Sequence, residues 1–138
     1  MNGLSPFPDF EEIPHKADAA IIAYGCSLPE LFSHAALGLY QILGSAGESH
    51  YEIEDVIVLQ APDVETMLVS FLSELVFLAE KGIKAEISEL EINNNIIRAR
   101  IHKLSDQSFS NVIKAVTFNE MKVIKKDGFF QTRIVFDL

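Results

Sequence analysis

Hydrophobic periodicity changes once along this chain, and the change restricts the folds open to it. In the first 82 residues two segments carry apolar residues at three- and four-residue spacing. One holds Leu28, Leu31, Phe32, Ala35, Leu39, Ile42 and Leu43; the other holds Met67, Leu68, Phe71, Leu72, Leu75 and Leu78. Each spacing predicts a helix with one buried face. Ser27 and Asp63 stand where N-caps belong, and Gly44 and Gly82 stand where helices stop. From Ile83 onward the period is two: Ile97, Ala99 and Ile101 alternate with Arg98, Arg100 and His102, the pattern of a strand with one wet face.

Turn chemistry divides the remainder. Asn93-Asn94-Asn95 precedes that strand, and Asp127-Gly128 marks a hairpin leading into Phe129 to Leu138. Ala20 to Tyr24, Tyr51 to Gln60, Ala115 to Phe118 and Met121 to Lys126 read as further strands, with Val56-Ile57-Val58-Leu59 covered on at least one side. Two helices early and consecutive strands at the end predict an α+β fold. Two helices pack on a mixed, largely antiparallel β-sheet that closes in a C-terminal β-meander.

The 138 residues, 49% of them hydrophobic, contain no Pro/Gly/Ser-rich or low-complexity run, so one domain over residues 1–138 is expected. The longest apolar stretch, Met67 to Ala79, is too short to cross a bilayer and is interrupted by Glu74. With no leader-like start and the single cysteine Cys26, the expectation is a cytoplasmic protein that neither enters nor binds a membrane.

The net charge of −9 is unevenly spread. Residues 1 to 80 hold thirteen acids against Lys16, whereas residues 81 to 138 hold ten bases against seven acids. Affinity for nucleic acid comes chiefly from Lys and Arg displacing counterions, so this chain is poorly built to hold RNA tightly by itself. Solubility alone or docking on a basic protein explains the charge equally well.

Two acidic places invite a metal reading. The last strand-like segment alternates so that Phe130, Thr132, Ile134, Phe136 and Leu138 share one face, with Leu138 anchoring on apolar surface while Asp137 points outward. The terminal carboxylate and Asp137, with Asp18 nearby, would offer a hard cation oxygen donors. The plainer alternatives are that Asp18 shapes a turn and Asp137 solvates a strand end.

Other chemistry is thin. His15, His34, His50 and His102 make no HExxH pair, and His102 falls on a polar strand face. Gly25-Cys26-Ser27 lacks the Gly-x-Ser-x-Gly frame of a nucleophile elbow, and Gly44-Ser45-Ala46-Gly47 lacks the Lys-Ser/Thr of a phosphate loop.

Five stretches resemble the archease family in order and spacing. They are Glu12-Ile13-Pro14-His15-Lys16-Ala17-Asp18-Ala19, Ala23 to Phe32, Ala35-Ala36-Leu37-Gly38, Lys114-Ala115-Val116-Thr117-Phe118 and Val135-Phe136-Asp137-Leu138. The resemblance implies a non-enzymatic activator of the GTP-dependent RNA ligase that seals tRNA halves, promoting its guanylylation and multiple turnover. It also implies a metal site of Asp18, Asp137 and the Leu138 carboxylate, taking a divalent cation, calcium first, with magnesium or manganese as alternatives. His15 and Lys114 become candidate contacts to the ligase, and the protein is expected as a monomer or weak oligomer. Lys16 stands where the family usually has Thr, and Asn119 where it often has His. Two rival readings are a chaperone or modulator of RNA- or DNA-modifying enzymes, and a small metal-dependent hydrolase built on Asp18, Asp137 and His15.

Overall fold

The structure, a computed structural model, describes residues 5–13, 18–46, 52–118 and 120–138. Strands β1 (Phe10–Ile13) and β2 (Ala19–Gly25) come first, followed by α1 (Leu28–Leu43). The short β3 (Ser45–Ala46) and the long β4 (Glu52–Gln60) lead to α2 (Val64–Glu80). Then come β5 (Lys84–Asn93), β6 (Ile96–Leu104), β7 (Ser108–Phe109), β8 (Ala115–Thr117), β9 (Ile124–Lys126) and β10 (Phe129–Asp137).

The helices begin and end for the reasons the sequence gives. The Ser27 hydroxyl accepts the Glu30 N–H at 3.2 Å, while the Glu30 carboxylate accepts the Cys26 N–H at 2.9 Å, so donors at the start of α1 are satisfied locally. Gly44 ends α1 at φ 64°, a left-handed conformation that glycine adopts without cost, and sends its N–H back to the Tyr40 carbonyl. Asp63 caps α2 by accepting the Thr66 N–H at 2.7 Å.

The expected turn before β6 and the expected hairpin before β10 both form, each as a two-residue hairpin loop. Asn94 and Asn95 both have positive φ between β5 and β6, and Asp127 and Gly128 do so between β9 and β10; a two-residue loop of that kind matches the twist of its strands. The fold is α+β as expected, and every assigned strand pair is antiparallel. The strands divide among three sheets. One runs β1-β2-β10-β8, with β9 also on β10; a second runs β4-β6-β5; β3 and β7 form a two-stranded bridge. Of the C-terminal strands, β9 pairs with the start of β10 and β8 with its end, both along the edge of β10 opposite β2.

Helix α1 touches β1, β2 and β10 of the first sheet and β5 of the second, and α2 touches β8 as well as β4 and β5. Both helices therefore join the two larger sheets through one apolar core. Phe32 of α1 and Phe71 of α2 meet at its centre with ring centroids 6.0 Å apart. Ile21, Ile134 and Phe136 enter it from the first sheet, and Ile97, Ala99 and Ile101 from the second.

Three sequence expectations are refined. Ile57 is buried but Val56 and Val58 are exposed, so β4 is covered on one face only. The Met121 to Lys126 strand shortens to Ile124–Lys126, because Met121 closes a turn onto the Phe118 carbonyl and Glu120 takes φ 59°. Leu138 does not anchor on apolar surface: β10 ends at Asp137, the alternation ends with it, and Leu138 is 41% exposed.

Candidate functional site

The register between β2 and β10 creates the candidate site. Phe136 pairs with Ala19, Val135 with Ala20 and Ile134 with Ile21. Asp18, in the bend just before β2, and Asp137, the last residue of β10, are the next residues beyond that final pair, so both stand at the same end of the β2–β10 ladder. On the other side of β10, Asp137 pairs with Ala115 of β8, and the Lys114 N–H donates to the Asp137 carbonyl at 2.7 Å. Thus β10 carries Asp137 between β2 and the start of β8, with Leu138 one residue beyond.

Burial beneath the site fixes its floor. Ala20 and Val135, the neighbouring cross-strand pair on the same face, are both buried, whereas Asp137 and Leu138 are exposed and Asp18 is half-buried. Slipping the register by one residue would expel Ile134 and Phe136 from the core, so core packing keeps both aspartates, more than 100 residues apart in sequence, at this end of the sheet.

The three candidate ligands Asp18, Asp137 and Leu138 are thus brought to one end of the first sheet. Among the described residues no three His, Cys, Asp or Glu side chains converge as a metal-ligand group. What the register offers is two carboxylate side chains, plus the carboxylate that Leu138 contributes if it ends the chain. An all-oxygen set suits a hard cation such as Ca²⁺ or Mg²⁺ and argues against zinc, which favours nitrogen and sulfur. Backbone carbonyls or water would complete such a shell.

His15 and Lys16 lie outside the described residues, as do His50 and Asn119. Lys114 is exposed; its backbone ties it to Asp137, and its side chain borders a groove between β8 and α2 that Phe77, Ala115 and Val116 also line. Sequence reading did not single out Ala115, which faces Asp137 across the ladder, because a three-residue strand leaves little periodic signal.

The remaining chemistry-bearing side chains are engaged elsewhere. The His34 ring lies 2.7 Å through Nδ1 from the Tyr24 carbonyl and 3.7 Å through Nε2 from Asp9. His102 sits between Glu52 and Glu54 on the outer face of the second sheet. Desolvation and the neighbouring Glu30 carboxylate push the Cys26 thiol pKa up, away from thiolate, and the Ser27 hydroxyl is used as a cap. Neither behaves as an activated nucleophile. Among the described residues no helix is long and apolar enough to cross a membrane.

Two helices on antiparallel sheets, with Asp18 and Asp137 at one end of the sheet that holds β10, define an α+β protein whose candidate site is a carboxylate edge rather than an enclosed catalytic pocket. The Archease protein family (MTH1598/TM1083) matches residues 10–138, and the chain belongs to that family. The archease of Methanosarcina mazei is 30% identical over 94% of this chain and 95% of its own length. That of Sulfolobus acidocaldarius is 29% identical over 94% and 98%. The solution structure of Methanobacterium thermoautotrophicum protein 1598 superposes with a TM-score of 0.70 at 25% identity, covering 94% of this chain and 99% of that one. A Thermotoga maritima archease, described as a possible chaperone, shares the fold with a TM-score of 0.68 at 23% identity, over 93% and 96%. These descriptions name no reaction.

Proposed function

We propose that this protein is an activator of a GTP-dependent tRNA-splicing RNA ligase, promoting the ligase's guanylylation and repeated turnover without catalysing a reaction itself. The observation that carries the reading is the β2–β10 register, whose last pair, Ala19 with Phe136, leaves Asp18, Asp137 and Leu138 at the same end of the sheet. It is supported by membership in the archease family and by the exposure of that edge.

In this reading the Asp18 and Asp137 carboxylates, with that of Leu138, hold a divalent cation, calcium first. When bound, the cation supplies a positive centre for phosphate oxygens. The chain's own residues present oxygens at a fixed spacing and hold them there through β10, while Lys114 secures the end of β10 by its backbone hydrogen bond. The effect is one of geometry and charge on the ligase's nucleotide site. RNA is left to the ligase, consistent with the acidic net charge of −9.

The test is multiple-turnover RNA ligation by the cognate ligase with GTP and a divalent metal, comparing no addition, this protein and its Asp137→Ala variant. Stimulation by the wild type alone is expected. Stimulation by Asp137→Ala equal to the wild type would remove the carboxylate edge from the mechanism. A control without ligase on phosphoester substrates checks the hydrolase reading, which requires turnover there.

A further inference from the structure

Exposed apolar residues gather beside Lys114. Phe77 on α2 is 48% exposed, Val112 is 69% exposed and Phe118, the residue after β8, is 55% exposed. Two depressions that share Val76 and Glu80 in their lining connect Phe77 with Val112: one contains Phe77 and Lys114, the other Val112. Phe118 lies farther along the same segment, which runs antiparallel to α2, since Val123 beyond it donates its N–H to Glu65 in the first turn of that helix. Isolated exposed apolar side chains are ordinary; a connected set is the mark of a docking surface.

The charge of this patch differs from that of the molecule as a whole. Lys81 places its Nζ 4.3 Å from the centre of the Phe77 ring, and Lys114 stands at the opposite margin. Around this apolar surface two lysines, Lys81 and Lys114, thus stand against one glutamate, Glu80, on a protein of net charge −9. Such a frame selects an occupant that brings an apolar anchor flanked by carboxylates, and electrostatic complementarity of this kind fixes register as well as partner. The patch is also continuous with the candidate site, because Lys114 is the residue whose N–H holds the Asp137 carbonyl at 2.7 Å.

We infer that the groove between α2 and the segment 112–118 is the surface on which the ligase docks, taking an apolar side chain of the ligase between Phe77 and Val112 and an acidic one at Lys114. The inference rests on the activator reading above. It separates two tasks: the apolar groove supplies affinity, and the neighbouring carboxylate edge supplies the effect. An apolar anchor in a pocket, ringed by polar groups, is the usual way a small interface concentrates its binding energy.

The experiment titrates each protein into the multiple-turnover ligation assay and reads the half-maximal concentration and the plateau separately. The Phe77→Ser/Val112→Ser variant should need at least ten times more protein for half-maximal stimulation yet reach the wild-type plateau. Lys114→Glu should shift in the same direction, and its deficit should shrink as salt is raised. Asp137→Ala should instead lower the plateau. Circular dichroism melting checks the fold; should the double variant be destabilised, Val112→Lys alone, at the most exposed of the three positions, carries the test. Unchanged half-maximal concentrations for folded groove variants, with the wild type stimulating, would overturn this surface and leave the activator reading standing. No stimulation by the wild type would overturn both.

Discussion

Ala19 on β2 pairs with Phe136 on β10, and this pairing determines what stands beside it. One step outward stand Asp18, in the bend before β2, and Asp137, the last residue of β10, and like charges brought to one end of a sheet repel. A cation bound there should therefore stabilise the fold, by RT ln(1 + [L]/Kd). Calcium added to the wild type is expected to raise the thermal midpoint, and Asp137→Asn is expected to lose that rise while being no less stable than the wild type in chelator. Equal calcium-induced shifts in the two proteins would show that the cation binds elsewhere.

At the junction of β2 and α1, Gly25 and Ser27 make demands of different sizes. A Cβ on Gly25 would lie 2.4 Å from the Leu31 nitrogen and 2.8 Å from its Cα, backbone atoms that cannot move aside within a helix. Gly25→Ala should cost about 1–3 kcal/mol or more, as overpacking does. Ser27→Ala removes one cap hydrogen bond and should cost about 1 kcal/mol. Denaturant unfolding of the two variants should rank them in that order; the reverse order would mean that α1 shifts freely against β2.

The features legible in the sequence are those set by local chemistry. Ser27, Asp63 and Gly44 act as written, and the expected span of the second helix is the observed Val64–Glu80. Asn94-Asn95 and Asp127-Gly128 announce their hairpins because positive φ at two successive positions suits few residues. What stayed hidden depends on distant partners. The strand Phe10–Ile13 forms on β2, and its own four residues carry two glutamates and no strong period. The bridge of Ser45–Ala46 with Ser108–Phe109 is too short to leave a pattern, and the bulge between Ile87 and Glu89 interrupts the alternation of β5. The candidate ligands Asp18 and Asp137 were recognisable as residues; that they stand at the same end of one sheet follows from a register fixed by Ile21, Ile134 and Phe136 in the core.

Asp55 links an edge strand to its neighbour. Its Oδ2 lies 2.9 Å from Lys103 Nζ and its Oδ1 accepts the Val56 N–H at 2.8 Å. The Lys103 contact first, and the Val56 N–H second, hold the Asp55 carboxyl below the usual carboxylate range. A lowered folded pKa means that the stability it contributes is present above the unfolded pKa of about 4 and is lost as pH falls through the folded value. Because Asp55 is exposed, Asp55→Ala should cost less than about 1 kcal/mol at neutral pH. The difference from wild type should shrink as unfolding is measured at successively lower pH below about 4, and a difference that stayed constant would assign the cost to the strand rather than to the charge.

Tyr40 carries the strongest alkaline prediction. Its ring is buried on α1, and its hydroxyl oxygen accepts the N–H of Ala85 on β5 at 2.8 Å, joining the first helix to the second sheet. Burial, the largest cause, pushes its pKa up to about 12, the nearby Glu86 charge adds to the rise, and the Ala85 hydrogen bond opposes it. The folded value lies above the unfolded value of about 10. Its stabilising contribution is therefore complete below pH 10 and is lost as pH rises through 12. Tyr24 is also raised to about 12, by desolvation and then by its hydrogen bond to Glu11, and shares the same window. Tyr40→Phe leaves the buried Ala85 N–H without its acceptor, which should cost about 1–3 kcal/mol at neutral pH. The same change removes an ionisation that opposes folding in alkali, so the gap between variant and wild type should narrow between pH 10 and 12. Urea unfolding at pH 7, 10 and 11.5 measures both effects, and a gap that widened with pH would mean that Tyr40 ionises without leaving the core.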